Sequence, residues 1–314
     1  MIVPLLTYSL LDIFREYLPR IIGQEMMNLY KLSNDFHYDS KCDPGILNEF
    51  ATAAFRFGHS TLPKGYKIKG QSPTKLVLNI TDDMIPLRDH INNPDISILP
   101  FFVDELSQSI FNEPMSKCDN TLPDEFRNHL NESLGVPFSG VDLAALNIQR
   151  GRDHGLPGFT HFQNFCLQDR LKREGGIRNN QSSSSLINTF EDLPHSYDII
   201  EKFRQVYLDP KDIDLFTGGI SEHPVDDGLV GPTFGCIIAN QFERLRNGDR
   251  FWYETNDERI GFTAKQLEQI KYVTISSLVC HNLDQETRFR VHGFDLSNKE
   301  TNPLISCAHF PKID

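Results

Sequence analysis

The sequence predicts a mainly α-helical fold, and three observations carry that prediction. Two segments, near residues 43–60 and 232–248, place apolar residues at three- and four-residue steps between helix start and stop signals. Strand-like character is confined to the short "KLVLNI" (Lys75 to Ile80). The composition, 39% hydrophobic and 24% charged over 314 residues, suits a globular chain with a sizeable core.

The elements follow in chain order. The opening "MIVPLLTYSLLDIF" is apolar, but it lacks a basic leading region and an A-x-A-like cleavage site, and Pro4 interrupts it. It therefore does not read as a working signal peptide. In "CDPGILNEFATAAFRFGHS", Asp43 suits an N-cap and Pro44 the first helical position. Ile46, Leu47, Phe50, Ala54 and Phe57 form the apolar stripe of that helix. "KLVLNI" reads as a strand, and "LPDEFRNHL" as a short helix. The apolar "VDLAAL" (Val141 to Leu146) reads as the end of a buried element. Gly, Asn and Ser dominate "GGIRNNQSSSS" (Gly175 to Ser185), which reads as a mobile loop. Further helices are expected at "YDIIEKFRQVY", at "PTFGCIIANQFERLRNGDRFWYE" and at "TAKQLEQIKYV". The second of these has Cys236, Ile237, Phe242 and Leu245 inward and stops at Asn247-Gly248.

Several function classes are excluded early. A net charge of −12 does not offer the basic face that general nucleic-acid binding needs. No apolar run approaches the ~18 residues of a membrane span. There is no G-x-S-x-G elbow, P-loop, G-x-G-x-x-G or H-E-x-x-H. Six cysteines at 42, 118, 166, 236, 280 and 307 include no C-x-x-C pair, which leaves long-range disulfides as the natural reading. Sequons at Asn79, Asn131 and Asn180 agree with an extracellular location.

One site candidate stands out. Arg56 and His59 lie three residues apart and so project from one helix face. Gly58 between them leaves room for a flat ligand near the backbone. A guanidinium beside an imidazole disfavours the protonated ring and leaves the neutral form, which binds metals. A metal-bound histidine also needs a partner for its second ring nitrogen, and the Asn147 side-chain carbonyl is the candidate. Arg150, in the same polar stretch "NIQRGRDHGLPGF", can pair with an anion. His154 reads as structural, in a turn salt-bridged through Arg152 and Asp153.

The blocks "ILNEFATAAFRFGHS", "GVDLAALNIQRGRDHGLPGF", "IDLFTGGISE", "VGPTFGCIIANQFERLRNGDRFWYE" and "FTAKQLEQI" resemble, in order, those of the animal haem peroxidases. The resemblance covers roughly residues 15 to 310. It implies an animal haem peroxidase-like helical domain over 15–314, with 1–14 as an unmatched segment. It implies His59 as the proximal ligand of haem iron, Asn147 as acceptor of its ring N–H, and Arg56 and Arg150 as partners of the haem propionates. It implies haem, b-type or covalently modified, as the cofactor. Hydrogen peroxide would be the oxidant, with a halide, a small phenol or a protein tyrosine as the donor. It implies secretion, and disulfides Cys166–Cys236 and Cys280–Cys307, each contributing about 3–5 kcal/mol. Cys42 and Cys118 stay unassigned: paired to each other, to another chain in a disulfide-linked oligomer, or free.

The resemblance also departs from the family. The N-terminal distal half, with its distal histidine, distal arginine and calcium site, has no counterpart here, and the serine-rich stretch near 170–187 is longer. No distal catalytic residue is therefore assigned. Two readings follow: a haem peroxidase present as its proximal-haem-side part, weak or inactive alone, or a non-catalytic secreted scaffold or truncated remnant.

Overall fold

The computed structural model describes residues 13–33, 36–68, 72–81, 83–89, 94–99, 101–133, 136–175, 187–282 and 287–311. Among these residues the fold is mainly α, with twelve α-helices and two two-stranded antiparallel sheets. The helices are α1 (Leu18–Leu29), α2 (Asn48–Thr52), α3 (Pro73–Val77), α4 (Phe102–Asn112), α5 (Asp124–Arg127), α6 (Leu143–Asp153), α7 (Phe159–Arg173), α8 (Tyr197–Val206), α9 (Leu215–Ser221), α10 (Pro232–Gly248), α11 (Ala264–Tyr272) and α12 (Ile275–Asn282). Strand β1 (Gly65–Lys67) pairs with β2 (Met84–Pro86), and β3 (Arg288–Arg290) with β4 (Leu304–Ser306).

The core is built round α10. Its buried Phe234, Ile237, Ile238 and Phe242 meet Leu18, Ile22 and Met26 of α1 on one side and Phe159 and Phe162 of α7 on another. Pro232 at the first helical position and the stop at Gly248 bear out the sequence reading of this helix. Phe14 continues the core N-terminally, edge-on to both Phe242 and Trp252. Helix α9 carries "FTGGIS" across α7 at very short range. A Cβ on Gly218 would lie 2.2 Å from the Phe159 ring, so only glycine permits this approach.

Two disulfides hold the periphery: Cys166–Cys236 joins α7 to α10, and Cys280–Cys307 closes the C-terminal sheet region. Cys42 and Cys118 are free and half-buried, so they are not paired to each other. No helix of the described residues is long and apolar enough to cross a membrane.

The structure corrects several sequence readings. "KLVLNI" is not a strand: α3 occupies Pro73–Val77, started by Ser72, whose hydroxyl accepts the Lys75 N–H at 3.1 Å. Leu76 and Val77 are 79% and 62% exposed, so their apolar character does not direct pairing. The helix expected from Asp43 begins only at Asn48. Asp43 instead accepts the Gly45 N–H at 2.8 Å in a local turn, and Ile46 is exposed. "VDLAAL" is not a buried end either, since Val141 and Leu146 are 42% and 37% exposed. The loop expected over Gly175 to Ser185 lies, from residue 176, outside the described residues, as does Asn180.

Candidate functional site

Helix α2 breaks where the site begins. After α2, Ala53 turns out of helical conformation (φ −137°, ψ −70°), and the chain continues as a 3₁₀ helix over Ala54–Thr61. A 3₁₀ helix has three residues per turn, so side chains at i and i+3 eclipse. Arg56 and His59 therefore point the same way more strictly than an α-helix would require. Ala54, Phe57 and Ser60 face the core and anchor the turn.

The second wall comes from α6. Asp142 caps it, accepting the N–H groups of Ala144 and Ala145 at 2.8 and 3.2 Å. Its end is a Schellman motif: the Leu156 N–H bonds the Gly151 carbonyl and the Gly155 N–H bonds the Arg152 carbonyl, both at 3.0 Å. Gly155 takes the left-handed φ of +64° that this motif needs. Thus "RDHGLPG" folds as a helix stop. Within it Arg152 does not pair with Asp153, as the sequence suggested. It forks onto Asp214 at 2.8 and 2.7 Å, and Asp214 also accepts from the Tyr207 hydroxyl at 2.9 Å. This bridge fixes the exit of α6 to the segment before α9. His154 is exposed and touches Asn48 Oδ1 at 3.2 Å, in keeping with a structural role.

These two walls bring His59, Arg56 and Asn147 together. Asn147 is the one buried residue of α6, with no solvent exposure. Its Oδ1 accepts from Arg56 Nη1 at 3.0 Å, and its Nδ2 lies 2.9 Å from His59 Nδ1. The contact has the opposite polarity to the sequence expectation, in which the Asn147 carbonyl faced the ring. The reason is Arg56, a donor-only group that claims that carbonyl.

The electrostatics are those of a neutral ring beside two guanidinium groups, of which Arg56 has no anionic partner. Burial, then the Arg56 guanidinium, pushes the His59 imidazole below its usual range. Burial and the neighbouring Arg150 charge lower Arg56 in turn. Arg56 is held by the Ala51 carbonyl and by Asn147, neither of them anionic. Arg150 is exposed, with Asp153 4.0 Å away. His59 Nε2 meets no hydrogen-bonding partner among the described residues. Beside it, a Cβ built on Gly58 would find nothing within 4 Å. Among the described residues no group of three or more His, Cys, Asp or Glu could hold a metal ion. A metal at His59 would thus bring most of its ligands with it, as iron in a porphyrin does. The arrangement fits haem: one neutral imidazole nitrogen free, open space beside Gly58, and two guanidinium groups suited to carboxylates.

The sequence alone did not single out Glu222. It is buried and caps α10, with Oε2 accepting the Thr233 N–H at 2.9 Å and Oε1 bonded to the Thr233 hydroxyl at 2.8 Å. Burial raises its carboxyl to about 7, against the lowering pull of Thr233. A glutamate shortly before "GPT" was the available signal.

With the fold and this geometry in view, the comparisons agree. A profile of the animal haem peroxidase family matches residues 13–294. A peroxidasin homologue of Caenorhabditis elegans, pxn-2, is 36% identical over 96% of this chain and 21% of its own length. Peroxidase-like protein 3 of Lottia gigantea is 32% identical over 95% of this chain and 89% of its own length. Among solved structures, Peroxidase A from Dictyostelium discoideum superposes with a TM-score of 0.59 at 26% identity, covering 87% of this chain and 46% of that one. The chain belongs to the animal haem peroxidase family, whose helical fold it shares. It spans about a fifth of the length of the peroxidasin homologue it matches.

Proposed function

We propose that this chain forms the proximal wall of a haem-dependent peroxidase, in which His59 Nε2 would hold the iron. The single observation that carries this is the His59–Asn147 contact. It is a 2.9 Å bond between residues 88 apart in sequence, made by a buried amide that leaves the other ring nitrogen open. Haem, when bound, supplies the redox chemistry by which hydrogen peroxide is reduced to water and a donor is oxidised. The chain's own residues do the rest. His59 stays neutral because burial and Arg56 disfavour its protonation. Asn147 fixes the ring plane and, in the loaded site, takes Nδ1–H through its carbonyl. Arg56 and Arg150 meet the propionates. Gly58 keeps a side chain out of the ring's approach.

The donors we propose are a halide, a small phenol or a protein tyrosine, and the setting is extracellular. Two intramolecular disulfides and the exposed sequons at Asn79 and Asn131 support that setting. The matched blocks supply a proximal side without a distal acid–base pair. General acid–base and electrostatic assistance are together worth about 10⁴ or more in rate. Turnover by these 314 residues is therefore expected near that of free hemin.

Hemin titration tests the proposal. An imidazole-dependent absorption change in the wild type that is lost in His59→Ala supports it. Identical spectra for the two proteins contradict it.

A further inference from the structure

The polarity of the Asn147 amide poses a problem that the fit to haem does not resolve. Arg56 has no acceptor, so the atom it touches at 3.0 Å is the Asn147 carbonyl oxygen, and the amide nitrogen is thereby turned to His59 Nδ1 at 2.9 Å. An amide nitrogen donates. Nδ1 must therefore accept, and the ring proton sits on Nε2. That is the ring nitrogen with no hydrogen-bonding partner among the described residues, and in this tautomer it has no lone pair to give to a metal.

We propose that Arg56 is a latch that holds His59 in a non-ligating tautomer until a carboxylate-bearing ligand draws its guanidinium away. This inference rests on the haem reading and deepens it by assigning the order of events at the site. Release of Arg56 frees the Asn147 carbonyl. The amide then turns over, Nδ2 taking the place of Oδ1 and Oδ1 facing Nδ1. The proton leaves Nε2 to solvent and an equivalent proton is taken at Nδ1, so the ring stays neutral and its Nε2 lone pair opens. If Arg56 stayed, the turned amide would set two donors against each other, so amide turnover and arginine release are one event. Arg150, close enough to repel Arg56, already favours that release. The ligand class selected is a flat metalloporphyrin with free carboxylates. Its charges are recognised before its metal. Arg56 is thus a positioning residue, acting on the ligand atom through Asn147.

The test has two arms. The first is the ring tautomer in the metal-free protein, read by long-range ¹H–¹⁵N correlation of His59. The wild type is expected to carry Nε2–H. Arg56→Met, and Asn147→Asp, whose carboxylate accepts from Arg56 and from Nδ1–H at once, are both expected to carry Nδ1–H. Two variants are used because either alone could perturb folding. The second arm compares hemin with its dimethyl ester. The latch predicts that Arg56→Met binds the ester on the order of tenfold tighter than the wild type does, since a charged hydrogen bond no longer opposes it. An arginine acting only as a propionate partner leaves ester affinity unchanged, and that result overturns the proposal, as does Nδ1–H in the metal-free wild type. Failure of the haem reading looks different: no porphyrin binds through His59 in any variant.

Discussion

Glu222 makes the folded state sensitive to pH in a direction opposite to most carboxylates. Its buried carboxyl is raised from 4.5 to about 7, while in the unfolded chain it ionises at the ordinary value. At about 1.4 kcal/mol per tenfold, that difference corresponds to about 3 kcal/mol. The sign follows from which state holds the proton. Between pH 4.5 and about 7 the folded chain keeps it and the unfolded chain has lost it, so the Glu222 contribution falls as pH rises through that window. It is level below and above. Glu222→Gln removes the titration and keeps both bonds to Thr233, because a glutamine carbonyl can accept the N–H and its amide can donate to the hydroxyl. Urea unfolding of both proteins at pH 5, 6, 7 and 8 measures the effect. The variant should gain on the wild type by about 2–3 kcal/mol from pH 5 to pH 8. A difference that stays constant with pH would refute this reasoning. It would mean that the α10 N-terminus and Thr233 keep the carboxylate ionised throughout.

Two further outcomes follow from the packing. Gly218→Ala should lower the thermal midpoint, because its Cβ would fall 2.2 Å from the Phe159 ring, and forcing an atom into a filled core costs about 1–3 kcal/mol. An unchanged midpoint would mean that α9 and α7 are not in this contact. Losing Cys166–Cys236, which spans 70 residues, should cost about 4 kcal/mol, and losing Cys280–Cys307, which spans 27, about 3.5 kcal/mol, on loop-closure entropy. Paired Cys→Ser variants compared by denaturation check both the size and the order.

How much of this was legible in the sequence depends on how local the cause was. Helix α10 was readable end to end, because Pro232, the inward Cys236, Ile237 and Phe242, and Asn247-Gly248 all act within a few turns. Helix α11 likewise shows its Thr263–Gln266 capping box in the letters. "KLVLNI" failed because its β-branched and apolar letters outweighed Ser72-Pro73, a cap and first-turn pair that the local geometry obeys. The break at Ala53 was invisible, since nothing in "FATAAF" demands it. It nevertheless sets the 3₁₀ turn that aligns Arg56 with His59. The meeting of His59 and Asn147 was expected from spacing chemistry and family resemblance together, and neither gives the amide's orientation. That depends on which neighbour is donor-only, a fact of three-dimensional placement. "VDLAAL" was misjudged for a similar reason: an apolar stretch states that it avoids water, and not what covers it.

The axial nitrogen is the most direct test of the account. Electron spin-echo spectroscopy of the ferric hemin complex, prepared with ¹⁵N-labelled histidine, reads whether one imidazole nitrogen is bound to the iron. The account predicts a single strongly coupled ¹⁵N that disappears in His59→Ala. A complex with no such coupling, or one whose coupling survives that substitution, would contradict it.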